Sequence, residues 1–243
     1  MEFEESDGEA QCWRDLADVM AAGISRVLLY GPPGTGKTHA ALRFGVSDAA
    51  AERLVCTEDL TTGEITGTWM PAGDGRWEWR VGPAIRAWRE NAGQGGRLVV
   101  DEVDRASGDA LSTLLAVTDS PDSARWRNPE TSKWLSPGPQ FSVVMTTNLE
   151  QLDDIPAALR DRFPVAIRID RPHPASVQTL SSDLRSCALA GSLGDPARRV
   201  SLRSFYAYDQ LRTAVGPESA ARLVFGESNA QGVLDAFSIG ALR

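Results

Sequence analysis

Gly31-Pro32-Pro33-Gly34-Thr35-Gly36-Lys37-Thr38 follows directly on Arg26-Val27-Leu28-Leu29-Tyr30, and that junction decides the fold. The apolar run reads as a buried strand, and the Ala-rich, Pro-free stretch from Thr38 to Ala51 reads as the helix after it. Between them the spacing is G-x-x-x-x-G-K-T, a phosphate-cradling pattern in its strand–loop–helix setting. Gly31, Gly34 and Gly36 allow backbone N–H groups to converge on phosphate oxygens, with Pro32, Pro33 and Thr35 completing the cradle. The new helix presents its positive end to the same oxygens. Lys37 can reach β- and γ-phosphates as a point charge, and the Thr38 hydroxyl suits Mg²⁺. An ordinary glycine-rich turn requires neither the lysine nor the hydroxyl.

Outward from the loop, apolar runs recur at Arg53–Thr57, Arg97–Asp101, Phe141–Thr146 and Val165–Ile169. Helical spacing falls before and between them, at Gln11–Ala22 and at Asp109–Asp119 with Leu111, Leu114, Leu115 and Thr118. Strands alternating with helices imply a parallel, doubly wound sheet whose ligands sit beyond the carboxyl ends of its strands. After Asp170-Arg171-Pro172-His173-Pro174 the pattern turns purely helical, which divides the chain into an α/β part, residues 1–170, and a small all-α part, residues 171–243. Two insertions interrupt the rhythm, at about 61–81 and 123–135. In the first, Ile65–Met70 and Trp77–Val81 flank Gly73-Asp74-Gly75, a hairpin signal. In the second, Trp126 and Trp134 flank Asn128-Pro129-Glu130, a weaker one. Five of the seven tryptophans lie in these insertions, so they either glue the hairpins to the body or grip a target, and gluing ranks first.

Three further motifs follow, two of them ending strands at the ligand-binding edge. Asp101 and Glu102 close the third apolar run, Asp101 placed for a Mg²⁺ shell and Glu102 to polarise an attacking water. Thr146-Thr147-Asn148 closes the fourth, with Asn148 placed to orient that water. Arg160 and Arg162 end a short helical stretch, where one of them can serve a neighbouring subunit or simply pair with Asp161.

Composition narrows the remaining classes. The net charge is −8, but residues 171–243 hold 8 Lys/Arg against 6 Asp/Glu, while residues 1–170 hold 17 against 27. An acidic bulk disfavours loose association with polyanions. Cys12, Cys56 and Cys187 are odd in number and scattered, which argues against a disulfide framework and for a reducing cytoplasm. His39 and His173 have no metal-type partners at ligand spacing. No run approaches the roughly 18 apolar residues of a membrane span, and acidic Met1–Asp7 does not resemble a secretory leader.

Taken in order, GPPGTGKT (31–38), LVVDEVDRA (98–106), MTTN (145–148) and ALRDRF (158–163) resemble the AAA+ ATPases, most closely their MoxR-like and dynein-related branch. TTGEITGTW (61–69) and WEWRVGPAIRAW (77–88) are similar to that branch's hairpin insertion and the helix start after it. The resemblance implies a P-loop NTPase fold: a five-stranded parallel sheet of order 5-1-4-3-2 flanked by helices, with an all-α lid. It implies ATP bound between subunits of a homo-oligomeric ring, usually of six. Lys37 and Thr38 would then be Walker A, Asp101 and Glu102 Walker B, and Asn148 sensor 1, although Leu149 replaces the proline often found next. Arg162 comes before Arg160 as the trans-acting finger, and Arg203 falls where the lid's sensor 2 lies. A motor that remodels a protein partner, such as one bearing a von Willebrand factor A domain, ranks first. A nucleic-acid-linked motor of restriction or mobile-element type and an ATP-dependent assembly switch with little turnover remain as alternatives. Arg76, Arg80, Arg125, Arg127 and Lys133 near the tryptophans would suit nucleic acid, but Asp74, Glu78 and Glu130 dilute them.

Overall fold

The structure is a computed structural model and describes residues 10–45, 51–192 and 199–240, so the acidic Met1–Asp7 stretch lies outside it. Two compact units emerge. One comprises Asp15–Gly31 and Lys37–Arg168; the other draws on Met1–Arg14, Pro32–Gly36 and Ile169–Arg243.

The first unit is built on five parallel strands, β1 (Arg26–Tyr30), β2 (Ala51–Val55), β5 (Arg97–Asp101), β8 (Ser142–Thr146) and β9 (Val165–Arg168). They lie in the order β9-β1-β8-β5-β2, which is 5-1-4-3-2 in chain order of the core strands, as the resemblance implies. Strand β5 is buried at all five positions, which is why Arg97–Asp101 reads as a continuous apolar run rather than an alternating one. Leu28, Leu98, Val100, Val143 and Met145 form the middle of the core, and Trp88 joins them from α4 (Pro83–Gly93). The Trp88 indole N–H donates to the Val117 carbonyl at 3.1 Å, at the end of α5 (Gly108–Val117). Arg97 is the exceptional core residue. Its guanidinium donates to the Ala41 carbonyl at 3.1 Å and to the Phe44 carbonyl, at the end of α2 (Lys37–Arg43). Burial lowers its pKa to about 10, which leaves it charged at neutral pH.

Helix α2 and strand β2 differ from the sequence expectation. The helix ends at Arg43 rather than running to Ala51, because Gly45 takes a left-handed φ of 67°, the usual helix-terminating conformation. Strand β2 spans Ala51–Val55 instead of Arg53–Thr57, since pairing with β5 brings Ala51 opposite Arg97 and Val55 opposite Asp101.

The first insertion also begins differently. Ile65 and Thr66 belong to a short helix, α3 (Thr62–Thr66), not to a strand. Thr61 and Glu64 form a reciprocal capping box, a T-x-x-E signal that outweighs the β-branched residues. Then β3 (Gly67–Gly73) and β4 (Arg76–Val81) pair antiparallel, with Trp69 opposite Trp79 and Pro71 opposite Trp77. The second insertion is a minimal hairpin of β6 (Trp126–Arg127) and β7 (Trp134–Leu135). Trp79 bridges the two, edge-on to Trp69 at 5.5 Å and 6.0 Å from Trp126. Gluing therefore describes Trp79 and Trp126. It does not describe Trp77 or Trp134, which are 63% and 67% exposed.

The second unit is helical. It contains α7 (Pro174–Gln178), α8 (Ser182–Gly191), α9 (Leu202–Val215), α10 (Pro217–Phe225) and α11 (Glu227–Gly240). Its core joins Leu184, Leu202, Phe205, Tyr208 and Phe237, with Tyr208 and Phe237 ring centroids 4.9 Å apart. Outside that core, Trp13 from α1 (Gln11–Ala21) packs edge-on against His173 at 5.1 Å and donates to the Arg171 carbonyl at 3.1 Å.

Candidate active site

Parallel pairing sets the site before any side chain does. Strand β8 lies between β1 and β5, with Thr146 beside Leu29 and Met145 beside Val100. The three strands therefore end at one edge, where β1 delivers Gly31, β5 delivers Asp101 and β8 delivers Thr146. Gly31 N–H donates to the Leu149 carbonyl at 2.8 Å, tying the loop after β1 to the turn after β8.

The loop's three glycines all have positive φ: 123° at Gly31, 79° at Gly34 and 102° at Gly36. Gly34 has a second constraint, since a Cβ there would fall 2.7 Å from the Ser201 Cβ. The Thr35 hydroxyl donates to the Pro32 carbonyl at 3.2 Å, closing the turn around Pro33. Lys37 and Thr38 open α2.

Lys37 is buried, and its ammonium donates to the Gly31 carbonyl at 2.8 Å and to Asn148 Oδ1 at 3.2 Å. Asn148 Nδ2 reaches Glu102 Oε1 at 3.5 Å. The amide orientation is fixed by its neighbours, because lysine only donates and an ionised carboxylate only accepts. The other Glu102 oxygen, Oε2, is ion-paired with Arg105, whose Nε lies 2.8 Å away. Glu102 itself sits at φ 56° and ψ 47°, a left-handed conformation uncommon outside glycine.

Asp101 is the more enclosed of the two carboxylates, only 5% exposed. Its Oδ1 accepts from Thr38 Oγ1 at 2.7 Å and Thr146 Oγ1 at 2.5 Å, while Oδ2 takes Arg53 NH2 at 2.5 Å. Burial alone would raise its pKa; the hydrogen bonds from Thr146, Arg53 and Thr38, with the Arg53 charge, reverse that and hold it below the ordinary carboxylate range. Beside it, the buried Cys56 thiol is pushed up to about 12 by desolvation and by Asp104, Asp101 and Glu102. Thr147 Oγ1 donates to Asp104 Oδ1 at 2.6 Å, locking the turn that carries Asn148.

The structure thus brings Lys37, Thr38, Asp101, Glu102 and Asn148 into one hydrogen-bonded cluster. A hydroxyl and an ionised carboxylate in direct contact are hard oxygen donors of the kind Mg²⁺ takes. Arg162 and Arg160, on α6 (Ala157–Arg162), do not join the cluster among the described residues. Arg162 Nε lies 3.9 Å from Asp119, buried without a hydrogen-bond partner among the described residues, and Arg160 meets Asp153 at 3.2 Å. Arg203 is exposed in the first turn of α9, two residues after the Ser201 that faces Gly34. Sequence reasoning overlooked Thr146, Arg53 and Arg105. The first follows from β5–β8 register once both strand ends are known. Arg105 carries a weak signal, three residues beyond Glu102. Arg53 carries none, because it depends on where β2 begins.

A family model described as AAA domain (dynein-related subfamily) matches residues 26–163. None of the curated proteins matches the chain. Among solved structures, NtrX from Brucella abortus superposes with a TM-score of 0.58 at 18% identity, covering 86% of this chain and 52% of that one. NtrX in complex with ATP gives 0.57 at 17% identity, covering 89% and 55%. The chain spans about half the length of these structures, and at such identity the likeness is one of fold.

Proposed function

Because the chain belongs to the dynein-related subfamily of AAA domains, we propose that it is an ATP-hydrolysing module of a homo-oligomeric, MoxR-like ring motor that acts on a polypeptide partner. The observation that carries this reading is the run of contacts from the Gly31 carbonyl through Lys37 and Asn148 to Glu102, beside the Thr38–Asp101 pair.

In this reading residues 1–170 form the nucleotide-binding domain and residues 171–243 its lid. The loop Gly31–Gly36 and Lys37 bind the triphosphate, whose charge would draw the ammonium off the Gly31 carbonyl. Thr38 and Asp101 would hold Mg²⁺; when bound, the ion neutralises phosphate charge. Glu102 polarises the attacking water while Asn148 aligns it against the γ-phosphate, so both contribute mainly through orientation. Arg162, or failing that Arg160, acts on the neighbouring subunit's nucleotide, and Arg203 senses it from the lid.

The polypeptide assignment rests on the hairpins. Trp77 and Trp134 present large apolar area to solvent. The charges beside them are mixed: Arg76 and Arg80 each lie 3.9 Å from an exposed carboxylate, Asp74 and Glu78, and Arg127 donates to the Ser132 carbonyl. With five Lys/Arg against four Asp/Glu in residues 61–81 and 123–135, a polyanion would meet little net attraction there. Among the described residues no helix is long and apolar enough to cross a membrane. This reading places the work in the cytoplasm, on a partner such as a von Willebrand factor A protein.

The test is a steady-state ATPase assay. Glu102→Gln should retain ATP but turn it over ~100-fold or more slowly, and an unfolded polypeptide should stimulate the wild type. Unchanged turnover in Glu102→Gln would remove the hydrolytic assignment. Salt-sensitive stimulation by single-stranded DNA in place of polypeptide would move the target to nucleic acid.

A further inference from the structure

Glu102 needs more than proximity to be useful. A carboxylate on a flexible side chain presents either oxygen in many orientations, and a water-polarising group must hold one. Its backbone is already pinned at φ 56°. The turn Val103–Arg105 then folds back, with Arg105 N–H donating to the Glu102 carbonyl at 2.9 Å. That return brings the Arg105 guanidinium onto Glu102 Oε2 at 2.8 Å. The carboxylate is thereby divided. Oε2 is occupied by Arg105, and Oε1 faces Asn148, whose own oxygen holds the Lys37 ammonium.

We propose that Arg105 is a positioning residue for ATP hydrolysis, which fixes the Glu102 carboxylate so that Oε1 alone is presented towards Asn148 and Lys37. The proposal rests on the hydrolytic reading of this site. Arg105 acts through its ion pair with Glu102. The pair is too exposed to matter much for folding, with the Arg105 side chain at 54% and Glu102 at 36%. Its consequence is therefore geometric, and falls on the turnover step rather than on nucleotide affinity.

Arg105→Ala should lower kcat roughly ten- to a hundredfold while leaving KM for ATP and the affinity for ADP within about twofold. Arg105→Lys should recover part of the loss, since an ammonium keeps the positive charge beside the same oxygen with less directional control. Thermal melting should be nearly unchanged, and Arg105→Gln serves as the neutral variant should Arg105→Ala prove unstable. In a Glu102→Gln background the arginine substitution should cost nothing further. An unchanged or increased kcat in Arg105→Ala and Arg105→Gln would overturn the proposal. So would a further tenfold loss in the Glu102→Gln background, which would place Arg105's action elsewhere. If Glu102→Gln itself leaves the wild-type rate intact, the hydrolytic reading falls and the positioning role with it; if Glu102→Gln is dead and Arg105→Ala is normal, only the positioning role falls.

Discussion

The strand-end cluster and the tryptophan hairpins belong to the same compact unit, yet they manage their polar and apolar groups in opposite ways. At the strand ends Asp101 has both oxygens occupied by Thr38, Thr146 and Arg53, and Asn148 is held from both sides. At the hairpins Trp77 and Trp134 stand in water, and the nearby arginines make long, local pairs. A buried charge network tolerates little change, because each lost partner strands another group. An exposed aromatic face tolerates much, because its substitution leaves the core untouched. The first region is built for one geometry, while the second leaves apolar surface open to solvent.

That contrast can be broken most forcefully at Lys37. Lys37→Ala removes the ammonium shared by Gly31 and Asn148, and should abolish measurable ATP binding and turnover in a nucleotide-binding assay. Mixed with Arg162→Ala subunits it should regain part of its activity, since each subunit would supply what the other lacks; a confirmed mixed ring that stays dead would remove Arg162 as the finger. At the hairpins the expectation is the reverse. Trp77→Ala with Trp134→Ala should shift the melting temperature little and leave basal ATPase intact, yet abolish stimulation by polypeptide. A large loss of stability would instead show that these indoles are structural. The smallest effect concerns Cys56. Its acid form is the neutral thiol and its pKa is raised to about 12, so the reactive thiolate stays scarce through neutral and mildly alkaline pH. Iodoacetamide at pH 8 should leave Cys56 unmodified in the native protein and label it after unfolding, as read by peptide mass spectrometry.

The same contrast explains what the sequence disclosed. Gly31–Thr38, Asp101, Glu102 and Asn148 are legible because each ends a strand with a residue type the chemistry demands. Strands β1 and β5 carry their limits in unbroken apolar runs. What was not legible depended on competition between signals. The Thr61–Glu64 capping box turned Ile65 into helix, and Gly45 ended α2 well before the Ala-rich pattern did. Arg53 reaches Asp101 only through a register fixed by β5. Both hairpins were visible, the first as alternating runs about Gly73-Asp74-Gly75 and the second more weakly about Asn128-Pro129-Glu130, but which tryptophans would be buried was not, because that depends on how two segments far apart in the chain meet.

Arg97 gives β5 a mechanical character. At its amino end the strand is fastened through Arg97 to the carbonyls that finish α2, and at its carboxyl end through Asp101 to the hydroxyl of Thr38 in that helix's first turn. Strand and helix thus form a frame closed at both corners. A push on Lys37 and Thr38 cannot tilt the helix alone; it has to drag the strand as well, so β5 would convey a disturbance at the phosphates to Glu102 by displacement of a stiff bar rather than by relay from side chain to side chain.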